Sequence, residues 1–259
     1  MKNWALFDFD GTLSLLRAGW QTVMHSLMEE TLRSAWRTGH GFPQAEWSSR
    51  IDEYIRASTG IQTIEQMQWL HQQMLSMGAS AESIWTYKER YRERLGAHIS
   101  RRIVSVKTGQ APADGYLVRG SVGLLEALRE AGYTLCLASG TDDADVRREA
   151  SLLGIAKYFQ EIRGAQDHSW ENPKAVVMER MLREAITWQP KSRPLVIGDG
   201  PVEIALGRQH RAVTIGVASD ETGRRRHDPE KMDRLRLAGA DLIVDDWSDL
   251  TKIFHVLGR

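Results

Sequence analysis

The sequence predicts an α/β fold, a parallel sheet with helices on both faces, interrupted after its first strand by a helical insert. Three observations carry this. A short apolar run, Trp4-Ala5-Leu6-Phe7, reads as a buried strand and gives way to Asp8-Phe9-Asp10-Gly11-Thr12. From about residue 116 onward, strand-length apolar runs alternate with helix-length segments, which is the pattern of a parallel sheet. Between the two, apolar residues recur at three- and four-residue spacing with no strand run.

The insert reads as four helical stretches. Trp20, Val23, Met24, Leu27 and Met28 share one helix face, continued by Thr31, Leu32 and Trp36. Ile51, Tyr54 and Ile55 mark a second, Ile64, Met67 and Leu70 a third, and Ile84, Tyr87, Tyr91 and Leu95 a fourth. Breaks fall at 39–43, at Ser58-Thr59-Gly60 and at Gly78. The second break either ends a helix or dips toward a site. After Pro112-Ala113-Asp114-Gly115 the order is helix Ser121–Ala131, strand Thr134–Ala138, helix Asp142–Leu153, strand Phe159–Arg163 and helix Asn172–Ile186. Strand Leu195–Ile197, helix Val202–Gln209, strands Val213–Val217 and Leu242–Val244, and helix Trp247–Leu257 complete it. A core domain is therefore expected from residues 1–16 and 116–259, with a helical domain over 17–115. A chain of 259 residues has room for both.

Lys and Arg total 34, as do Asp and Glu, and this zero balance gives no sign of a nucleic-acid or anionic-membrane partner. No apolar stretch approaches the roughly 18 residues of a membrane span. The single cysteine, Cys136, lies in an apolar run and cannot form an intramolecular disulfide. Only seven residues precede Asp8, too few for a signal peptide, so a cytoplasmic location is the expectation.

Asp8 and Asp10 stand at the C-terminal end of a strand, the edge where open α/β sheets bind ligands. Side chains at i and i+2 share a face on an extended strand. Two such carboxylates repel, and a bound divalent cation relieves the repulsion; hard oxygen donors suit Mg²⁺. The plainer alternative is ordinary Asp-Gly turn chemistry. Three later segments are placed similarly. Ser139-Gly140 ends the second strand, where a hydroxyl and free N–H groups suit a phosphate oxygen, with Thr141 either an alternative or the cap of the next helix. Asn172-Pro173 is a good helix start. It puts Lys174 at the positive end of the helix dipole, a conflict that marks either a functional or a solvated lysine. Gly198-Asp199-Gly200 follows a buried strand, with Glu203 four residues beyond Asp199.

The Asp8–Thr12 segment resembles the first signature of the haloacid dehalogenase-like (HAD) superfamily. Ser139, Lys174 and the Asp199/Glu203 pair match its second, third and fourth signatures in order, each at a strand end or helix start. The resemblance implies a Rossmannoid core, and the insert is similar in position and helicity to a HAD cap, which excludes water and selects substrate. It further implies that Asp8 is the nucleophile and Asp10 the general acid and base. Ser139, Gly140 and Lys174 would bind phosphate. Asp8, Asp10 (through its carbonyl), Asp199 and Glu203 would hold Mg²⁺, with Glu203 either direct or through water. An acid at position 10 disfavours dehalogenation. The expected activity is a phosphatase acting on a small phosphorylated metabolite, a sugar phosphate or nucleotide. The alternatives are a phosphomutase with the same aspartyl-phosphate, or a catalytically silent binding protein. Arg17 and Trp20 follow the catalytic turn as possible substrate-selecting residues, although Arg17 reads equally as a solvated cation. His168 and Trp170 are candidates to line the pocket, and Arg224-Arg225-Arg226 reads as a solvated charge run.

Overall fold

Strands β1 (Asn3–Phe7), β2 (Tyr133–Asp142), β3 (Glu161–Ala165), β4 (Leu195–Gly198), β5 (Val213–Val217) and β6 (Leu242–Val244) pair in the order β3-β2-β1-β4-β5-β6. Every pairing is parallel. The computed structural model describes residues 3–37, 44–166, 173–188, 193–223 and 225–258, without the side chains of residues 36, 37, 44, 45, 173, 174, 185, 186 and 188. His168, Trp170, Asn172 and Arg224 lie outside the described residues.

The apolar runs become strands because both faces of the sheet are covered. Ala5 and Phe7 point to one face, joined by Leu135, Leu137, Leu195 and Ile197. Helices α5 (Ser121–Glu130), α6 (Asp143–Leu152) and α10 (Leu250–Val256) close that face with Leu124, Leu128, Val146 and Ile253. Leu6, Cys136, Ala138 and Val196 point the other way, onto Met178, Met181 and Leu182 of α7 (Pro173–Trp188). This is the period-two alternation of a strand. Helix α8 (Pro201–Gln209) packs beside α7, and α9 (Pro229–Leu237) beside α8 through Ile204 and Leu235. No element is predicted from the sequence at α9. It begins on Asp228, whose side chain accepts from the N–H groups of Glu230 and Lys231, with proline at the first helical position.

Cys136 is wholly buried on the α7 face. Burial, with the nearby Glu161 carboxylate, pushes its thiol up to about 12. Because the thiolate is the reactive form, the native protein should resist iodoacetamide at pH 8 and label fully once unfolded. Rapid labelling of the native form would place Cys136 outside the core.

The chain divides into two compact units, Met1–Ala18 with Arg102–Arg259, and Gly19–Arg101. The second unit is helical: α1 (Trp20–Arg37), α2 (Gln44–Ala57), α3 (Thr63–Ser76) and α4 (Ile84–Lys107), the last running on into the first unit. Met24, Leu27, Met28, Leu32, Ile51, Met67 and Leu70 are buried at the predicted spacing. Tyr54 and Trp69 stack with centroids 4.1 Å apart. Ser58-Thr59-Gly60 ends α2: the Thr59 hydroxyl donates to Ile55 O and Gly60 takes a left-handed φ of 93°. Among the described residues no helix is long and apolar enough to cross a membrane.

Candidate active site

The strand order reverses at β1, with β2 on one side and β4 on the other, and open sheets bind ligands at the C-terminal ends of the strands beside such a reversal. Asp8 follows β1 and Asp199 follows β4. The ladder reaches the first of them, since the Asp8 N–H donates to Ile197 O at 2.9 Å. Residues 9–14 then form a tight turn in which the amides of Thr12, Leu13 and Ser14 all converge on Phe9 O. Side chains from far along the chain fix this turn. Ser219 donates to Gly11 O at 3.1 Å, and the buried Trp247 indole donates to Thr12 O at 2.8 Å.

Three buried carboxylates, Asp8, Asp199 and Glu203, each offer an oxygen within 4.8 Å of the others. The Thr12 hydroxyl donates to Asp8 Oδ2 at 3.0 Å and stands 3.5 Å from Asp199 Oδ1. Glu203, in the first turn of α8, reaches back to the Gly200 N–H at 2.8 Å, which is the return half of a capping box. That bond ties the Glu203 carboxylate to the helix start beside the cluster. Buried carboxylates this close repel unless a cation joins them, and an all-oxygen donor set suits a hard dication.

Asp10 stands apart from that cluster. Its Oδ2 accepts from the Thr141 hydroxyl at 2.7 Å, whereas its Oδ1 is buried without a hydrogen-bond partner. Burial pushes its pKa up to about 6, against the opposing pull of Arg17 and with a further push from Glu149. A carboxyl in that condition can hold a proton near neutral pH. Thr141 is therefore not the cap of α6, the position held by Asp142. The β2–β3 register shifts between Ala138 and Asp142, and such a bulge turns side chains in new directions. Ser139 and Gly140 lie in this shifted segment, where the buried Ser139 hydroxyl accepts from the Thr141 N–H at 3.1 Å. Lys174 is the second residue of α7, and its side chain is outside the described set.

Arg17 is not a solvated cation. Its guanidinium grips Glu149 through Nε and Nη2, the shortest contact being 2.7 Å, and touches Asp145 at 3.3 Å. It also stands 3.9 Å from Asp10 Oδ1. Glu149 is only 1% exposed, so removing its partner strands a buried charge. Arg17→Met should cost about 3 kcal/mol or more in a urea melt; a change within about 0.5 kcal/mol, as for ordinary surface sites, would contradict this. Trp20 belongs to the helical unit, at the start of α1.

Two further charged residues at the site have no counterpart in the sequence reading. Lys231, on α9, is buried with its ammonium 2.7 Å from Asp199 Oδ2 and 2.7 Å from Glu221 Oε1. Burial alone would discharge it, but the two carboxylates outweigh burial and hold its pKa above the ordinary lysine value. The signal that could have found it is the one that marks Lys174: a lysine in the first turn of a helix, against the dipole.

A family model described as haloacid dehalogenase-like hydrolase matches residues 3–211. No curated protein matches the chain significantly. Among solved structures, a haloacid dehalogenase-like family protein of Streptococcus pneumoniae is 21% identical, with a TM-score of 0.57 and 98% of each chain covered. A predicted phosphoglycolate phosphatase of Haemophilus somnus is 17% identical, with a TM-score of 0.61 and 98% of each chain covered. A β-phosphoglucomutase of Clostridium difficile is 16% identical, with a TM-score of 0.64, over 100% of this chain and 98% of the other. At such identities the likeness establishes the fold.

Proposed function

The chain belongs to the haloacid dehalogenase-like hydrolases, and from that premise we propose that it is a Mg²⁺-dependent phosphatase of a small phosphorylated metabolite, working through an aspartyl-phosphate on Asp8. The observation that carries this reading is the contrast between the two aspartates of one turn. Asp8 sits in the carboxylate cluster and accepts from Thr12, as a charged nucleophile would. Asp10 has a buried oxygen that accepts no hydrogen bond, and burial raises its pKa to about 6 despite Arg17 3.9 Å away, as suits a general acid.

In this mechanism an Asp8 carboxylate oxygen attacks phosphorus. The bond from phosphorus to the leaving oxygen breaks, and Asp10 gives that oxygen its proton. The Asp10 carboxylate, held by Thr141, then takes a proton from water as the water attacks the phosphorus of the aspartyl-phosphate. The bond to Asp8 breaks and inorganic phosphate leaves, with Asp10 protonated again. Ser139, the Gly140 segment and Lys174 bind the phosphate oxygens in this reading. Asp8, Asp199 and Glu203, with the Asp10 carbonyl, would hold Mg²⁺, whose contribution when bound is to neutralise charge on the phosphoryl group. The helical unit takes the role of cap, excluding water and selecting the leaving group. Arg17 lies in the first unit and commits Nε and Nη2 to Glu149 and Asp145, so selection is assigned to residues of the helical unit instead.

The test is release of inorganic phosphate from a panel of sugar phosphates, nucleotides and small phosphorylated acids, with Mg²⁺ and with excess EDTA. Release that EDTA abolishes is the expected result. Isomerised ester without free phosphate would replace the phosphatase by a phosphomutase. Binding of an ester with neither product would replace it by a silent binding protein.

A further inference from the structure

Lys231 and Glu221 belong to neither pair of signature residues, and both lie beyond the residues that the family model matches. Resting on the assignment of Asp199 as a cation ligand, we propose that Lys231, braced by Glu221, is a positioning residue that holds Asp199 ready to receive a divalent cation. The ammonium has three donors, and two of them go to carboxylate oxygens at 2.7 Å, one on Asp199 and one on Glu221. Asp199 is thereby fixed by Oδ2, while its Oδ1 is the oxygen near Thr12. A carboxylate free to rotate would lose that division of labour between its two oxygens. Partners behind a ligand commonly set its orientation in this way.

The rival role for a buried lysine here is competition, an ammonium that repels the dication from its own ligand. Charge counting argues against it. Asp8, Asp199 and Glu203 sum to −3, enough to attract a dication, and Lys231 with Glu221 adds +1 − 1 = 0. The pair is a neutral brace. The surroundings fit it closely: an added Cβ on Gly11 would lie 2.2 Å from Asp199 Oδ2 and 3.0 Å from Glu221 Oε1, so the space over the brace exists only because residue 11 has no side chain. Ser219, two residues before Glu221, ties the same loop to Gly11 O.

The experiment is calorimetric titration of Mg²⁺ into the substrate-free protein, which reads binding without turnover. Lys231→Met should weaken Mg²⁺ by about 10- to 100-fold. The double variant Lys231→Met/Glu221→Gln removes a neutral pair and so leaves the net charge unchanged; it should lose affinity about as much, because orientation rather than charge is lost. Folding of each variant is checked by circular dichroism, and the double variant decides if the single one does not fold. Affinity within about twofold of wild type, or tighter, in a folded variant would overturn the proposal, since a purely structural or a competing lysine predicts those results. Saturable binding absent from the wild type itself would overturn the cation site first, and is distinguished because no variant is needed to see it.

Discussion

Asp8→Asn should reduce phosphate release by on the order of 10⁴-fold or more, with a melting temperature close to that of the wild type. The amide is almost the same size as the carboxylate, and its carbonyl oxygen can still accept from Thr12, which lies 3.0 Å from Asp8 Oδ2. The backbone N–H of residue 8 still donates to Ile197 O. What disappears is the nucleophile, together with one negative charge of the cluster. Phosphate release and a thermal melt on the same preparation check this. Residual activity above about 1% of wild type would remove Asp8 from the covalent role, since losing an attacking group costs far more than that.

Gly11→Ala should damage stability and activity together. Gly11 has a left-handed φ of 75°, and a Cβ there would lie 2.2 Å from Asp199 Oδ2 and 2.8 Å from its Cγ. The backbone strain alone is worth about 1–3 kcal/mol, and a chain of this size should lose several degrees in melting temperature, at about 2–4 °C per kcal/mol. Asp199 must also move, and a displacement near 1 Å at a reacting centre can cost about 100-fold in rate. Gly132→Ala is the matched control. Its φ is 85°, yet a Cβ there would meet nothing within 4 Å. Both variants should lose stability, and only Gly11→Ala should lose activity. Equal loss of activity in the two would mean that Asp199 has no catalytic part.

The inner strands β4 and β5 were legible in the sequence because every residue of each is buried. Leu195-Val196-Ile197 and Val213–Val217 allow no other reading at their length, and the structure returns them as β4 and β5. The insert's helices were legible from the three- and four-residue spacing of apolar and aromatic residues, as with Met24, Leu27 and Met28 on α1 and Tyr87 and Tyr91 on α4. Helix α9 was not, because only Leu235 and Lys231 of its residues are buried and its sequence is dominated by charge. Missing the helix also meant missing Lys231, although the Asp228-Pro229 start was available as a signal.

Side-chain pairing was the least legible part of the site. Thr141, in β2, meets Asp10 just past the neighbouring β1, 131 residues away, and Arg17 meets Glu149 of α6, 132 residues away. Local rules favour a helix cap for the first and solvent for the second, and only the long-range packing of β1 beside β2, and of α6 after it, decides otherwise. Chain division follows the same logic. The break expected near residue 115 rests on Pro112 and Gly115, but α4 runs unbroken to Lys107 and the contacts divide at Arg101/Arg102.

The most direct measurement is to trap the covalent intermediate. The best substrate from the phosphate-release panel, labelled on its phosphoryl group, is mixed with the enzyme and Mg²⁺, quenched in acid within milliseconds and mapped by peptide mass spectrometry. Phosphate on the peptide carrying Asp8, absent from Asp8→Asn and decaying as free phosphate appears, is the predicted result. Turnover without label on any residue, or with label on a residue other than Asp8, would contradict the account.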